Sequence, residues 1–298
     1  MAWPLSVARA IRRTRPDVVH VHSGCWLKGA RAARLAGVRR VVFTEHGREH
    51  DDPWIRRWID RAAASYTDTV VAVSHRLASY LARKVGINSA KIRTIHNGVD
   101  TSRFTPGAAS PELRSTLAIP PGAVVIGSVG RLETVKAYDR FLDSAAQLRG
   151  LIDQPVFVVI CGDGSQRDAL MAHARKLGLG DVVRLPGWVD DPVRFYRLLD
   201  VFVLSSVSEG QSVSLMEAMS CGTAPVVTDV GTNAEMLGPE LTAQVVSFGD
   251  PAGMAAAIRS IVIDGARRAA VSAIVRRRAV ELYSLDHMVA QYESLYRA

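Results

Sequence analysis

Two glutamates, eight positions apart, are the residues of this chain whose type and spacing most clearly suggest chemistry. Glu209 and Glu217 lie in the segment SEGQSVSLMEAM, which follows the apolar run 201–204 and contains the start of a helix predicted at 213–220. Glu209 therefore lies on a loop at the carboxyl end of a strand, where α/β folds bind ligands. Glu217 lies about one turn into the helix, and its carboxylate can accept hydrogen bonds from a ribose diol. The structural alternative is a pair of surface glutamates near a helix start, where the helix dipole favours negative charge.

The loop between these glutamates has the properties of an anion site. A glycine in this loop permits close approach of the backbone to a ligand. The free N–H groups at the predicted helix start, around residues 212–214, point at the same place and suit a phosphate. We therefore predict that the substrate contacts Gly210, Gln211, Ser212 and Val213.

A second strand end supplies positive charge. In IGSVGRLETVK, residues 126–136, an apolar strand ends near Gly130 and is followed by Arg131 and Lys136. Both cations can reach a diphosphate lying over the glycines, Arg131 as a bidentate partner and Lys136 as a point charge. The spacing is neither that of a dinucleotide fingerprint nor that of a P-loop. An ordinary turn after a strand is the alternative interpretation.

Weaker signals follow three other predicted strands. His46, in TEHG, can donate a hydrogen bond to a sugar hydroxyl, although a lone histidine is more often structural. Gly162, after FVVIC, and Val189, after VVRLPGW, place backbone at strand ends where a nucleobase can be recognised. The neighbouring Trp188 suits either packing or contact with the base.

The composition is typical of a folded α/β protein of about two domains, with 298 residues, 48% of them hydrophobic and 22% charged. The sequence shows no secretory signal and no run near the ~20 apolar residues of a membrane helix. The three cysteines are far apart and lack the spacing of a metal site, which indicates reduced thiols. We therefore expect a cytoplasmic protein.

The net charge is +8, and basic residues gather at 12–15, 56–61 and 276–278. Solvated helix faces explain such clusters, and the functional alternative is attraction to an anionic membrane or a lipid-linked acceptor. Peripheral contact with the cytoplasmic face of a membrane therefore stays open. No nucleic-acid motif occurs, so we expect no nucleic-acid partner.

Short β-branched runs alternate with amphipathic stretches, a pattern that predicts parallel sheets flanked by helices. Four strands are predicted in residues 17–95 and six in residues 124–246, and the intervening stretch 96–120 is rich in Pro and Gly. We place an N-terminal domain at 1–105, a C-terminal domain at 106–283 and a final helix at 284–298.

Several segments of the chain together form a recognisable set: PDVVHVHS, FTEHG, IRTIHNGVDTSRFTP, IGSVGRLETVK, VICGDGSQRDAL, RLPGWVDD and SEGQSVSLMEAMSCGTAPVVTDVGTNAE. In these segments the chain resembles the retaining glycosyltransferases of family 4 over most of its length. The resemblance implies the α/β fold called GT-B, with two Rossmann-like, doubly wound parallel sheets facing a cleft. The first predicted series has about four strands where such a half has six or so, so we expect an N-terminal domain that lacks its first strands.

The family implies a role for each candidate residue. Glu209 would contact the donor sugar and Glu217 the ribose, while Arg131 and Lys136 would neutralise the diphosphate. His46 would touch the sugar from the N-terminal side. The final helix would cross back onto the first domain.

These expectations combine into one function, the transfer of a sugar from a nucleotide-diphosphate sugar to a glycan, lipid-linked or small-molecule acceptor with retention. No Asp-x-Asp pair occurs to hold a divalent ion, so we expect neither metal nor cofactor. Three alternatives stay open: a sugar-nucleotide epimerase, a non-catalytic nucleotide-sugar-binding fragment, and one chain of a split transferase. The donor sugar, the base and the acceptor are not identified by the sequence.

Overall fold

The computed structural model describes residues 3–48 and 52–297. The contacts among residues divide the chain into two compact units. Unit 1 contains the residues up to Asn97 together with those from Met288 onward, and unit 2 is Gly98–His287. Within the described ranges, no helix has both the length and the apolar composition needed to cross a bilayer.

Unit 1 alternates helices and strands, as its hydrophobic patterning predicts. Ser74 caps the fourth helix by accepting a hydrogen bond from the Leu77 N–H, and that helix ends in a π-helical turn before Gly86, whose φ is +84°. The elements are α1 (Trp3–Thr14), β1 (Val18–His22), α2 (Trp26–Leu35), β2 (Arg40–Glu45), α3 (Trp54–Ser65), β3 (Thr69–Ala72), α4 (His75–Tyr80) with its π-helical extension Leu81–Val85, and β4 (Ile92–Thr94).

Unit 2 continues the alternation, and the chain then ends in a helix that contributes to unit 1. The elements are α5 (Pro111–Thr116), β5 (Val124–Val129), α6 (Tyr138–Leu148), β6 (Val156–Cys161), α7 (Arg167–Lys176), β7 (Val183–Gly187), α8 (Val193–Leu198), β8 (Val201–Leu204), α9 (Val213–Ser220), β9 (Ala224–Thr228), α10 (Asn233–Leu237), β10 (Val245–Val246), α11 (Pro251–Val262), α12 (Gly265–Leu282) and α13 (Leu285–Arg297).

The strands of unit 1 form a parallel sheet in the order β1-β2-β3-β4. Their side chains alternate between the two faces of the sheet, as the pleat requires. Val41, Phe43 and Val70 pack against α2, α3 and α4 on one face. Val42 and Val71 point the other way and pack against α13. Helices therefore cover both faces of this sheet.

The strands of unit 2 form a six-stranded parallel sheet in the order β10-β9-β8-β5-β6-β7. From β5 the chain builds β6 and β7 on one side, and it then returns to build β8, β9 and β10 on the other. β5 and β8 are therefore neighbours, with Ile126 opposite Val201. Their carboxyl ends form the switch point at which sheets of this kind bind ligands. The predicted α/β class with two parallel sheets is confirmed.

The boundary between the two units falls between Asn97 and Gly98, whereas the sequence predicts it after residue 105. Val99 belongs to unit 2 because its N–H donates to the Tyr283 carbonyl, while its own carbonyl accepts from the Leu285 N–H. The second boundary follows His287, whereas the sequence predicts a final helix that begins at residue 284 and ends at residue 298.

Candidate functional site

The loops that leave β5 and β8 are tied to each other at the switch point of unit 2. The Val207 N–H donates to the Val135 carbonyl at 2.9 Å, and the Ser205 hydroxyl donates to the Lys136 carbonyl at 2.8 Å. A third loop, after β9, joins them because the Thr232 hydroxyl donates to the Gly210 carbonyl at 2.9 Å. The loops after β5, β8 and β9 therefore hold their side chains in fixed positions relative to one another.

Two glycines allow the backbones of these loops to touch. Gly162 has a φ of +140°, and a Cβ at this position would overlap the Gly130 carbonyl oxygen. Gly231 has a φ of +55°, and a Cβ there would overlap the Glu209 carbonyl oxygen. Only glycine meets both the backbone conformation and the close contact at these positions. The predicted Gly162 thus lies against the predicted Gly130, and Gly231 is a residue that the motif analysis did not single out.

Lys136 and Glu209 form an ion pair at the centre of the site. The Lys136 Nζ lies 2.7 Å from the Glu209 Oε1, and the two side chains are 18% and 10% exposed. The Ser206 hydroxyl donates to the same oxygen at 2.6 Å. The pair neutralises both charges in a partly dry environment, where such contacts are stronger than at the surface.

Glu217 is held by a tyrosine of the neighbouring helix. The Tyr196 hydroxyl, on α8, donates to the Glu217 Oε2 at 2.6 Å, and the tyrosine is fully buried. Burial raises the pKa of the Glu217 carboxyl, while the bond from Tyr196 and the charge of Arg103 oppose that rise. The geometry fixes this carboxylate on the first turns of α9.

These side chains line one cavity of about 570 Å³, which lies within unit 2. The volume is in the range of pockets that hold small organic ligands. Ser212 begins the adjoining α9 by accepting from the Leu215 N–H at 3.3 Å, so the helix start faces this region with free N–H groups. Of the predicted residues, the lining contains Gly130, Arg131, Lys136, Gly162, Val189, Glu209, Gln211, Ser212, Val213 and Glu217.

The remaining predicted residue of unit 2, Gly210, lies in the same loop and accepts the bond from Thr232. The lining also contains residues that sequence reasoning missed or left open, notably Arg103 and Trp188. Trp188 is 74% exposed. Arg103 lies in the Pro- and Gly-rich stretch, where no pattern marks one cation as special. Tyr196 lies in the short helix α8, where nothing in the sequence signals a hydrogen bond to Glu217.

His46 belongs to unit 1, where it follows β2 and is part of a histidine cluster. Its Nε2 lies 2.9 Å from the Nδ1 of His22. The rings of His20 and His22 lie 4.1 Å apart. Burial lowers the pKa of His46, and burial with repulsion from the other two histidines lowers that of His20 to about 4. The cluster is therefore neutral at physiological pH, and the role of His46 at a sugar stays a prediction.

Family models match both parts of the chain. The model described as "Glycosyl transferases group 1" matches residues 109–278, and that described as "Glycosyltransferase Family 4" matches residues 1–103. The first match contains every described cavity residue except Arg103 and Phe104.

Curated relatives include an Escherichia coli UDP-Gal:alpha-D-GlcNAc-diphosphoundecaprenol alpha-1,3-galactosyltransferase, 28% identical over 83% of this chain and 66% of the relative. Another is the Rhizobium meliloti lipopolysaccharide core biosynthesis mannosyltransferase LpsB, 30% identical over 87% of this chain and 73% of the relative. The chain thus spans about two-thirds of the length of these relatives.

Solved structures share the fold. A glycosyltransferase from Rickettsia africae matches with a TM-score of 0.87 at 17% identity, covering 99% of this chain and 79% of the other. Anabaena HepE in complex with UDP matches with a TM-score of 0.86 at 20% identity, covering 99% and 82%. At these identities the likeness shows the fold alone.

Proposed function

The chain belongs to the group 1 glycosyl transferases of family 4, and from this premise we propose that it transfers a sugar from a nucleotide-diphosphate sugar to an acceptor with retention of configuration. The observation that carries the proposal is the cavity at the switch point of unit 2. The cations Arg131 and Lys136, the carboxylates Glu209 and Glu217, and the start of α9 line it together. This combination matches the charges of a diphosphate and the hydroxyls of a sugar and a ribose.

The donor would bind with its diphosphate beside Arg131, Lys136 and the first N–H groups of α9. Glu217, anchored through Oε2 by Tyr196, would accept hydrogen bonds from the ribose hydroxyls. Glu209, anchored through Oε1 by Lys136 and Ser206, would accept from the donor sugar. Solved structures of the same fold are described as Anabaena HepE in complex with UDP and with UDP-glucose, which supports a nucleotide sugar as the ligand class.

The chemical step breaks the bond between the anomeric carbon and the diphosphate oxygen and forms a bond to the acceptor oxygen. Negative charge then builds on the departing phosphate, and fixed cations aimed at that charge lower the barrier. Lys136 and Arg131 supply them without a divalent ion. The acceptor approaches from the face that the diphosphate leaves, and its proton passes to a phosphate oxygen, so the configuration is retained. Independence of metal is part of this proposal.

The acceptor we propose is a glycan or a lipid-linked glycan, reached at the cytoplasmic face of a membrane. Two of the relatives carry names that fit this class. One name specifies a GlcNAc-diphosphoundecaprenol acceptor, and the other specifies the biosynthesis of lipopolysaccharide core. Small-molecule acceptors stay within the proposal, because several other relatives are described as D-inositol 3-phosphate glycosyltransferases.

The test is an assay of sugar transfer from UDP-, GDP- and ADP-sugars, with the anomeric configuration of the product determined by NMR. Lys136→Met and Glu209→Gln should each lower kcat by at least about 10²-fold, because each removes a contact to charge or hydroxyl in the transition state. Lys176→Met, at the exposed end of α7, is the matched control and should leave kcat unchanged.

Near-wild-type turnover in either site variant would contradict the proposed mechanism, and an inverted product would contradict retention. Nucleotide binding without sugar transfer to any acceptor would contradict the catalytic proposal and favour a non-catalytic nucleotide-sugar-binding protein.

A further inference from the structure

The helix α3 of unit 1 carries its largest apolar side chains on its outer side. Trp54 is 74% exposed and Trp58 63%, while Ile55 and Ile59 are 54% and 39% exposed. At ~100° per residue these four side chains fall within an arc of about 140°. An apolar stripe of this kind normally faces the core of a globular protein. Here it faces away from the sheet.

The inner side of α3 explains this orientation. It consists of Asp60, Ala63 and Ala64, all buried. Asp60 lies 2.8 Å from the guanidinium of Arg48, whose side chain is only 5% exposed. Arg48 also pairs with the buried carboxylates of Glu45 and Asp52, so Asp60 is one member of a buried ion-pair cluster. Rotating α3 to bury its tryptophans would remove Asp60 from this cluster, and breaking a buried ion-pair network is costly. The outward stripe is therefore built into the packing of unit 1.

Positive charge surrounds the stripe. Arg56, whose side chain is 54% exposed and lies 3.3 Å from the buried carboxylate of Asp52, borders it on one side, and Arg57 and Arg61 border it on the other. Asp60 is the one carboxylate among the residues of α1, α2 and α3, and it is buried. Glu49 and Asp51, before α3, lie outside the described residues. The cations of the three helices are Arg9, Arg12, Arg13, Lys28, Arg31, Arg34, Arg56, Arg57 and Arg61.

We propose that the outer face of α3 docks on the surface of an anionic phospholipid bilayer. Trp54 and Trp58 insert at the level of the headgroups, where tryptophan is favoured because its ring is apolar and its N–H is polar. Ile55 and Ile59 reach the acyl boundary beside them. The arginines along the helix attract anionic lipids, as in helices that lie in the plane of a membrane interface.

The size of the face favours a bilayer over a second protein. With 12 residues, α3 is about 18 Å long and 10 Å wide, so its outer face covers about 180 Å². This area is far less than the ~800 Å² per partner that a stable protein interface buries. A bilayer needs no such area, because a few interfacial aromatic and basic side chains suffice for reversible binding. The proposal rests on unit 1 alone and does not depend on the transfer reaction.

The experiment is co-sedimentation of the full chain with vesicles of phosphatidylcholine alone or mixed with phosphatidylglycerol. Binding should require phosphatidylglycerol and fall at least about tenfold at high salt, because screening weakens the attraction of the arginines. The double variant Trp54→Ala, Trp58→Ala should bind at least about tenfold more weakly, since it loses most of the apolar surface. Arg56→Gln should weaken binding about fivefold.

Trp188→Ala is the matched control, because Trp188 is exposed to the same 74% but lies in unit 2. It should leave vesicle binding unchanged. In the unaltered chain, brominated lipids should quench part of the tryptophan fluorescence, and this measurement does not depend on the folding of any variant.

Three results would overturn the proposal. The first is the absence of binding to phosphatidylglycerol vesicles at low salt, and the second is equal binding by the double variant. The third is a dimer in solution that the double variant abolishes without any vesicle binding, which would assign the face to a second copy of the chain. A thermal-shift measurement with nucleoside diphosphates tests unit 2 separately, so failure here leaves the proposed function standing.

Discussion

Each glutamate of the cavity is held through a single carboxylate oxygen. Among the hydrogen bonds of the described residues, Glu209 accepts from Lys136 and Ser206 through Oε1, and Glu217 accepts from Tyr196 through Oε2. The second oxygen of each carboxylate can then accept from a ligand hydroxyl while the first fixes its direction. Preorganised acceptors of this kind lose little freedom when the ligand binds.

Tyr196 is a positioning residue, because it holds the carboxylate that we propose binds the ribose. Removing its hydroxyl tests ribose recognition separately from the stability of the fold. Tyr196→Phe should raise the Kd of a nucleoside diphosphate about tenfold, because a hydrogen bond to a charged carboxylate is lost. The same variant should leave the Kd of the 2′,3′-dideoxy analogue within about twofold, since that ligand has no ribose hydroxyls to place. Calorimetric titration of both ligands with both proteins measures the difference.

Tyr196→Phe should also change how the affinity for a nucleoside diphosphate depends on pH. Burial raises the pKa of Glu217 and the Tyr196 bond opposes it, so Tyr196→Phe raises that pKa further. The ionised carboxylate accepts a stronger hydrogen bond from a ribose hydroxyl than the neutral acid does. On acidification, the affinity of Tyr196→Phe should therefore begin to fall at a higher pH than that of the unaltered chain. An equal loss for the ribose and dideoxy ligands would show a merely structural role.

At the scale of elements, three loops meet because two glycines let their backbones touch. Gly162→Ala and Gly231→Ala should each lower the free energy of unfolding by roughly 2–4 kcal/mol, through a clash with a carbonyl and an unfavourable φ. Gly178→Ala is the matched control, because its φ is +69° and a Cβ would meet nothing within 4 Å. It should cost only ~1 kcal/mol, the price of the left-handed backbone alone. Denaturant titration measures all three, and equal losses would contradict the close contact.

The sequence predicts most of these elements and the main parts of the site. Parallel strands end at one edge of a sheet, so motifs after β5 and β8 converge once the strand order makes them neighbours. The bond between Tyr196 and Glu217 was not predictable, because it exists only after α8 and α9 pack together. The orientation of α3 was not predictable either. Its apolar periodicity favours burial, and the contact of Asp60 with Arg48 turns it outward.

The docking of α13 on unit 1 should depend on pH. The Nδ1 of His20 lies 2.6 Å from the Tyr296 hydroxyl, and its Nε2 lies 2.7 Å from the Thr44 hydroxyl. The pKa of His20 is about 4 when folded and about 6.5 when unfolded. Between these values the unfolded state binds more protons, so stability rises with pH. The contribution of neutral, buried His20 to the folding free energy is complete above pH ~6.5, and it is lost as the pH falls toward 4.

Hydrogen exchange of α13 measured from pH 7 down to pH 4 tests this dependence, after correction for the intrinsic rate. Local opening of α13 should become more frequent over that range. His20→Asn should flatten the dependence, because it removes a group that gains a proton on unfolding. The same slope in both proteins would assign the effect to other groups, since the burial of His22 and His46 also lowers their pKa values.

At the scale of the whole molecule, the two units respond to different conditions. Unit 2 contains the cavity with its cations and carboxylates, and unit 1 contains the histidine cluster and the outer face of α3. A ligand stabilises a protein against any unfolding that destroys its binding site, whereas acid destabilises the part with buried neutral histidines. Stability measured on the whole chain therefore mixes two separate dependences.

Addition of a nucleoside diphosphate that carries no donor sugar should separate the ligand dependence of unit 2 from the pH dependence of unit 1. At about 100 times its Kd it should stabilise unit 2 by about 2.7 kcal/mol. Peptides from β5, β8 and α9 should then exchange amide hydrogens about 100-fold more slowly. Lys136→Met should abolish most of this protection, because the diphosphate loses its partly buried cation, while the pH dependence of α13 should not change in that variant. Protection confined to unit 1, or equal protection in Lys136→Met, would mean that the diphosphate does not bind at the switch point between β5 and β8.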